Sequence, residues 1–423
     1  MKILYICRVF TGLETSLASG VWAPTGVPTI YKVMEGLAES KHETNFVLTA
    51  RGIGADYDTA WTNRDDMNVT LDGFPAQLRV LAGEHRYPNW FGRVRGPLTD
   101  RRHLREIRHL YHDIQPDLVY VDRAHARAGA FLARRDGAKV LFRVMGVYPS
   151  MWEALEGKRR AHRRERDAYH APFAQVICTQ DGSGGEYWME QALADGVPRT
   201  MMLNGHARPN APATESLQLA GIPNEQTVVL FVGRLEWNKG AEPFIDAMLA
   251  LPATQAERTH AVIIGTGQQK DMLTERVRNA GAEGRITFID RLPHSEIRAA
   301  HARADIYVSL NRLGQLSNAN LEVMSDGHCM VIPEARPEQK IDLITRELIP
   351  DDAVLRIPTD ERQIQALVEA IVELSNDPDR RTSMTANLKA AAGKFIPSWD
   401  DRIAEEIGML EMAAGCPADR VEA

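Results

Sequence analysis

Arg234 and Lys239 stand five positions apart at the end of an apolar, β-branched run, VVLFVGRLEWNKG over 228–240. The run reads as a strand that closes on Gly233 and gives way to a helix. Loops at the carboxyl ends of parallel strands are where α/β proteins take ligands, and two fixed cations there suit a diphosphate. Arg grips phosphate oxygens bidentately, and Lys supplies a point charge. A strand-to-helix turn with two solvated basic residues is the plainer alternative.

The elements that would position this pair repeat along the chain. AVIIG (261–265), RITFID (285–290), ADIYVSL (304–310) and MVIP (330–333) are strand-like runs separated by helical stretches. The first half has its own series in KILYIC (2–7), TNFVLT (44–49), DLVYV (117–121), AKVLFRV (138–144), QVICT (175–179) and TMMLN (200–204). Near-continuous apolar strands alternating with helices predict parallel sheets covered on both faces. Two series in 423 residues predict an α/β protein of two doubly wound, Rossmann-like domains facing a central cleft.

Composition excludes the unusual classes. With 44% hydrophobic and 25% charged residues the chain is ordinary globular protein. No apolar run approaches the ~18 residues of a membrane span. MKILYICRVFTG reads as a first strand and a glycine loop, not as a signal peptide, so the cytoplasm is the expected compartment. Cys7, Cys178, Cys329 and Cys416 lie singly, without metal-ligand spacing, and read as free thiols. Two Asp-x-Asp patterns, Asp56/Asp58 and Asp377/Asp379, read as acidic turns, and no metal site is expected.

Charge is uneven. Residues 1–200 hold 27 Lys and Arg against 24 Asp and Glu, and the totals of 50 and 57 leave 23 against 33 for the rest. The basic excess concentrates in 90–112 and 157–167. Arg-rich helices there suit anionic lipid headgroups at the inner membrane face, an acidic acceptor, or simply a solvated face. Nucleic acid is not an expected partner, because no recognised nucleic-acid module is visible and the chain is acidic overall.

The ordered set GRLEWNKG, IIGTGQQKDML, RITFIDRLPHSEIRAAHARADIYVSL and LSNANLEVMSDGHCMVIPE resembles the nucleotide-binding half of retaining GT-B glycosyltransferases, glycosyltransferase family 4. PTGVPT (24–29), MLNGHARPN (202–210) and FIPSWDDRIAEEIGML (395–410) stand where that family has counterparts. The resemblance implies an acceptor domain at 1–205, a nucleotide-sugar domain at 206–395 and a terminal helix at 396–423 returning to the first domain. It makes Arg234 and Lys239 the catalytic pair that neutralises the donor diphosphate, and stabilising developing charge commonly lowers a barrier more than any other device. Glu322 matches the glutamate that accepts from ribose hydroxyls. Ser317, Asn318, Ala319 and Asn320 form the first turn of its helix, whose N–H groups and dipole make an anion site, with Asn318 or Asn320 equally suited to capping. Gly233 and Gly265 fall in turns beside the nucleotide, and Arg291 and Leu292 beside its base.

Two positions depart from the family pattern. Eight residues before Glu322 stands Gly314, where a first glutamate usually faces the donor sugar. Met145 stands where many relatives carry a histidine near the reacting sugar. His125, in DRAHARAG at the mouth of the preceding strand, is the candidate replacement, with a surface position as the alternative. Gly26 lets backbone approach the donor phosphates or simply forms a helix-entry turn. Arg143 suits a charged acceptor or a buried ion pair.

The resemblance implies a retaining, metal-independent hexosyltransferase. It would move sugar from a UDP- or GDP-type donor, with no further cofactor, to a sugar or glycolipid acceptor in envelope polysaccharide or glycolipid synthesis. With no convincing double-displacement nucleophile, front-face substitution fits best. A catalytically impaired nucleotide-sugar-binding partner protein, motivated by Gly314 and Met145, and a sugar-nucleotide epimerase on the same fold are the alternatives.

Overall fold

In both halves of the chain, alternate residues of each apolar strand pack on opposite sides of a sheet, as a period of two requires. In the computed structural model, described over residues 1–50, 61–207, 219, 221–292 and 294–415, the strands form two sheets in two compact units. The first unit comprises Met1–Thr179, Gly185–Met202 and Trp399–Ala423, and the second Gln180–Gly184 and Leu203–Ser398. The chain therefore leaves the first unit for five residues near 180, leaves it again at 203 and returns to it at 399.

The first sheet holds β1 (Lys2–Arg8), β2 (Glu43–Thr49), β3 (Met67–Val69), β4 (Leu78–Leu81), β5 (Leu118–Asp122), β6 (Val140–Val144), β7 (Gln175–Thr179) and β8 (Arg199–Met202). Their order is β3-β4-β2-β1-β5-β6-β7-β8, parallel throughout except for β3 against β4. Leu4 and Ile6 face one core with Val119, Val121 and Phe142, while Ile3, Tyr5 and Cys7 face the other with Phe46, Leu48 and Tyr120. The second sheet holds β9 (Thr227–Val232), β10 (Thr259–Ile264), β11 (Ile286–Ile289), β12 (Ile306–Val308), β13 (Met330–Pro333) and β14 (Leu355–Ile357). It is wholly parallel in the order β11-β10-β9-β12-β13-β14. Strand order reverses between β1 and β5 in the first unit and between β9 and β12 in the second, and carboxyl ends at such reversals are where open α/β sheets bind ligands.

The eleven expected strands are all present, in the two-sheet α/β architecture expected. Three further strands, β3, β4 and β14, have three, four and three residues and carry Asn68, Arg79 and Arg356 at or near their middles. Such short, polar-interrupted runs lack an apolar signature. A helix, Thr11–Ser19, follows β1 where a glycine loop is expected from the sequence. Cys7, Cys178 and Cys329 are buried and in no disulfide, while Cys416 and the Asp56/Asp58 pattern lie outside the described residues. Asp377 caps helix Pro378–Phe395 by accepting the Arg380 N–H.

One layer of the first unit is strongly basic. Helix Arg95–Ile114 packs on Ala126–Arg135, which packs on Arg160–Tyr169. Together the three carry twelve arginines against five acidic residues. Arg101, Arg105, Arg127, Arg135, Arg160 and Arg164 are exposed. At the start of this layer Trp90 is 81% exposed and stacks on Phe91 at 4.2 Å. No helix among the described residues is long and apolar enough to cross a membrane.

The terminal helix Trp399–Ala414 packs on helix Pro28–Glu39 and carries Glu406 fully into the first unit's interior. Tyr120 donates to Glu406 Oε1 over 2.8 Å, Arg143 Nε lies 3.3 Å from the same oxygen, and Arg402 Nη1 lies 2.6 Å from Oε2. Arg143 is thus in the buried ion pair, not a free group for a charged acceptor. Burial pushes Glu406 up, but Arg143 and Arg402 outweigh it and hold the carboxyl below its ordinary value. Glu406→Gln leaves two buried guanidinium groups without their anion and should destabilise the first unit by about 3–5 kcal/mol, read as loss of its urea-unfolding midpoint. Because the folded carboxyl is lowered, the wild-type advantage is full above the unfolded carboxylate value and should shrink as pH falls through the folded one.

Candidate functional site

At the reversal in the second unit, three loops meet through bare backbone. Gly265, with φ of 150°, places its Cα so that an added Cβ would lie 1.9 Å from the Gly233 carbonyl oxygen, and a Cβ on Gly267 would lie 2.5 Å from that of Leu235. Gly233 N–H donates to Ile264 over 3.0 Å and Leu235 N–H to Thr266 over 2.8 Å. On the other side Gly240, φ 80°, closes the loop against Leu310, where a Cβ would meet Leu310 Cβ at 2.4 Å, and Arg312 N–H donates to Asn238 over 2.7 Å. Loop 233–240 is thereby clamped between its neighbours from β10 and β12.

That loop carries the two cations. Arg234 is 65% exposed and pairs with Glu236 at 2.9 Å. Lys239 is half-buried. Burial first, and then the charge of Arg234, push the Lys239 ammonium below its ordinary value, opposed by Asp181 and Glu236. A cation held at such cost gains from an incoming dianion. Trp237, between the two, leaves its ring 60% exposed.

The loop after β12 ends in helix Asn318–Asp326, whose N-cap Ser317 makes no side-chain cap bond. Ser317, Asn318 and Ala319 are half-exposed, and the first-turn N–H groups have no intrahelical acceptor. Asn318 Oδ1 accepts from Asn204 over 2.7 Å. Asn320 stands in that first turn, as the sequence suggests, with its side-chain amide buried beneath it. It donates to Ser309 Oγ over 2.9 Å and to the Gln315 carbonyl over 2.9 Å, and accepts from Tyr307 over 3.1 Å. Gln315 completes this network with Ser309 and Asn311. Leu292 is likewise a core side chain, packed with Ile264 and Ile289, because its apolar surface gains more from burial than from a ligand. Arg291 is exposed and Glu322 is half-buried near Tyr307, whose hydroxyl its charge helps to raise.

Segment Gln180–Gly184 packs on this end of the second unit, and sequence reasoning does not place it there. Its only signal is a glycine-rich turn, QDGSGG, after a strand. Gly314, buried with φ of 123°, lies against it, so that a Cβ there would stand 2.2 Å from the Asp181 carbonyl oxygen. Asp342 accepts from Gln315 N–H and from Thr345 Oγ1, each over 2.7 Å. Burial pushes Asp342 up to about 7 and Asp181 up to about 6.

In the first unit the carboxyl ends of β2, β1 and β5 are tied by a hydroxyl–imidazole–carboxylate chain. His125 Nε2 lies 2.8 Å from Thr49 Oγ1, and Nδ1 lies 2.5 Å from Asp122 Oδ1. Asp122 also accepts the Arg8 N–H over 3.1 Å. Burial pushes Asp122 up, but His125 and Arg8 hold it below its ordinary value. His125 is therefore buried with both ring nitrogens engaged, neither a surface group nor one with a nitrogen turned to substrate, because Asp122 three residues earlier anchors the ring. Gly26, exposed with φ of 95°, precedes helix Pro28–Glu39 and is buttressed by Gly12, where a Cβ would come within 1.7 Å of the Thr25 carbonyl oxygen. Met145 packs half-buried against the core of Tyr5 and Tyr120.

Residues 214–391 match the family model of glycosyl transferases group 1. A 2-deoxystreptamine N-acetyl-D-glucosaminyltransferase of Streptomyces fradiae is 29% identical over 33% of this chain and 33% of its own. A lipopolysaccharide core biosynthesis mannosyltransferase of Rhizobium meliloti is 27% identical over 47% of this chain and 56% of its own. The chain thus aligns with between a third and about half the length of these relatives. Among solved structures, sucrose-phosphate synthase from Thermosynechococcus elongatus has a TM-score of 0.70 at 16% identity, covering 97% of this chain and 98% of that one. Anabaena HepE in complex with UDP-glucose has a TM-score of 0.66 at 17% identity, covering 97% and 100%. At such identities the likeness is one of fold, the two-domain GT-B architecture.

Position 314 cannot carry a side chain in this arrangement. Gly314→Ala should cost about 2–4 kcal/mol through the positive φ and the contact with Asp181, and Gly314→Glu at least as much. Equal or higher thermal stability of either variant would show that segment 180–184 does not pack on position 314.

Proposed function

We propose that this chain, whose residues 214–391 match the family model of glycosyl transferases group 1, transfers a hexose-type sugar from a UDP or GDP donor to an acceptor hydroxyl with retention of anomeric configuration and without a metal ion. Glycosyltransferase activity is what the family match supports. The observation that carries the finer reading is the clamped loop 233–240, with Lys239 desolvated beside Arg234 at the strand-order reversal.

As the glycosidic bond breaks, negative charge collects on the departing diphosphate. Lys239 and Arg234, with the first-turn N–H groups of helix Asn318–Asp326, are the groups this unit offers to meet it, and fixed charges in a desolvated site stabilise a developing anion without reorganising. Their charge would do what a divalent cation does in metal-dependent transferases. With His125 engaged on both sides, front-face substitution remains the best fit: the leaving phosphate helps take the acceptor proton while the protein aligns the two reactants. We assign the donor to the second unit and the acceptor to the first.

The acceptor we infer is lipid-linked or lies at an anionic membrane surface, in envelope polysaccharide or glycolipid synthesis. Support comes from the basic helical layer with the exposed Trp90 and Val94 at its edge, arginines for headgroups and an indole for the interfacial zone.

Lys239→Ala and Arg234→Ala should each weaken binding of UDP or GDP by at least about tenfold, the loss expected for a charge-assisted hydrogen bond, measured by calorimetry. Wild-type protein whose melting temperature is unmoved by any nucleoside diphosphate would sink the donor assignment. Binding of sugar nucleotide without turnover across a broad acceptor panel would favour the impaired binding protein. For the membrane reading, the protein should cosediment with phosphatidylcholine vesicles only when phosphatidylglycerol is included, less so as salt rises. Arg101→Glu with Arg105→Glu should weaken that binding at least about tenfold. Binding that ignores lipid charge would remove the basis for a membrane acceptor.

A further inference from the structure

Position 314 and segment Gln180–Gly184 compete for one space. A Cβ on Gly314 would lie 2.2 Å from the Asp181 carbonyl oxygen and 2.6 Å from the Gly182 carbonyl carbon, and a Cβ on Gly182 would lie 2.4 Å from Asp342 Oδ1. Hydrogen bonds fix the contact. Leu316 N–H donates to the Asp181 carbonyl over 3.1 Å, and Asp342 N–H to the Gly182 carbonyl over 2.8 Å. The segment is therefore a fixed wall on the loop that leads into helix Asn318–Asp326, filling the path that a side chain leaving position 314 would take.

What the wall supplies is a carboxylate. Asp181 Oδ1 takes the Ser183 N–H over 3.0 Å and the Ser183 hydroxyl, which leaves acceptor capacity on the carboxylate. Asp181 is near enough to Lys239 for each to act on the other's charge. Its backbone lies against Gly314 and Leu316, on the loop that leads into the helix whose first turn we assign, with Lys239, to the diphosphate. Sugar hydroxyls are the donors such an acceptor selects, and a desolvated acceptor left unmatched penalises a sugar with the wrong hydroxyl pattern. Burial raises Asp181, and Asp181 in turn raises Asp342, so a hydroxyl that donates to the Asp181 carboxylate offsets part of its desolvation.

We propose that Asp181 is the donor-sugar specificity residue of this chain, its carboxylate accepting from a hydroxyl of the sugar whose diphosphate Lys239 holds. The proposal rests on the nucleotide-sugar reading above and adds which side chain recognises the sugar. The alternative role for Asp181 is plain: a turn-forming residue that serves only as a counter-charge to Lys239.

Asp181→Asn separates the two, since the amide keeps the turn with Ser183 and the shape of the wall while removing the charge. Calorimetric titrations with UDP and GDP are compared with UDP-glucose, UDP-N-acetylglucosamine and GDP-mannose. Specificity requires that Asp181→Asn lose on the order of tenfold to a hundredfold in affinity for the preferred sugar nucleotide while the matching free nucleoside diphosphate stays within about threefold. Asp181→Glu, which keeps the charge one methylene away, should change the order of preference among the sugar nucleotides and leave UDP and GDP unaffected; it also serves if the Asn variant folds poorly. Equal losses for sugar nucleotide and free diphosphate reduce Asp181 to a counter-charge and overturn the proposal, as does no loss for either. Wild-type protein that binds none of these compounds overturns the nucleotide-sugar reading itself, and is recognisable as that failure because it precedes any variant.

Discussion

Backbone touching backbone at the carboxyl ends of β9, β10 and β12 is the constraint on which the second unit's site depends. Gly233 against Gly265, Gly267 against Leu235, Gly240 against Leu310 and Gly314 against Asp181 are each too close for an intervening Cβ. Without these approaches the loops would stand apart by the width of side chains, and the cation loop and helix Asn318–Asp326 would not share one edge. What the glycines contribute to these contacts is steric. Their absence of side chain lets neighbouring loops fix each other, which holds Lys239 half-buried in a position where water alone would not keep an ammonium.

A second device orients the helix start. Tyr307, Ser309, Asn311, Gln315 and Asn320 form a buried hydrogen-bonded set. Apolar side chains of similar volume would give comparable stability, since buried polar groups repay their desolvation only when satisfied. What the network adds is direction. Asn320 lies in the helix's first turn, and its bonds to the loop before it fix where the N–H groups point. The contact that sequence reasoning places on the ligand is used one layer beneath it, to aim the backbone that could take that ligand.

The legible and illegible parts of this chain divide along physical lines. Long β-branched runs such as THAVII and KILYIC announce strands buried on both faces, and the turn at Gly233 announces where one ends. LRVL and LRI, edge-region strands with arginine inside them, carry no such pattern, because their state is set by the neighbour they pair with. At the site, Arg234 and Lys239 are legible because cations at a strand end have few structural uses. Asp181 is not: it lies in sequence among residues of the first unit, and only the fold brings it to position 314. His125 reads in sequence as a group facing outward because nothing in DRAHARAG shows that Thr49, 76 residues earlier, caps its ring.

The two reversals of strand order have opposite characters, and this bears on which ligand goes where. At the first, polar groups satisfy one another: Asp122 is taken up by His125 and the Arg8 N–H, and His125 by Thr49. Such a set satisfies its polar groups internally. At the second, Arg234 pairs with Glu236, and Asp181 and Glu236 offset only part of what burial and Arg234 do to Lys239; two cations so placed suit a diphosphate. The first unit's own positive charge lies elsewhere, spread over three helices that cover one face of its sheet. Spread charge acts over about a Debye length, some ~8–10 Å, and gathers a surface without specifying a group. A clamped pair acts at contact and specifies one. The same residue type thus serves two purposes in this chain, and the difference is whether the backbone around it is fixed by glycine contacts or presented on helices to solvent.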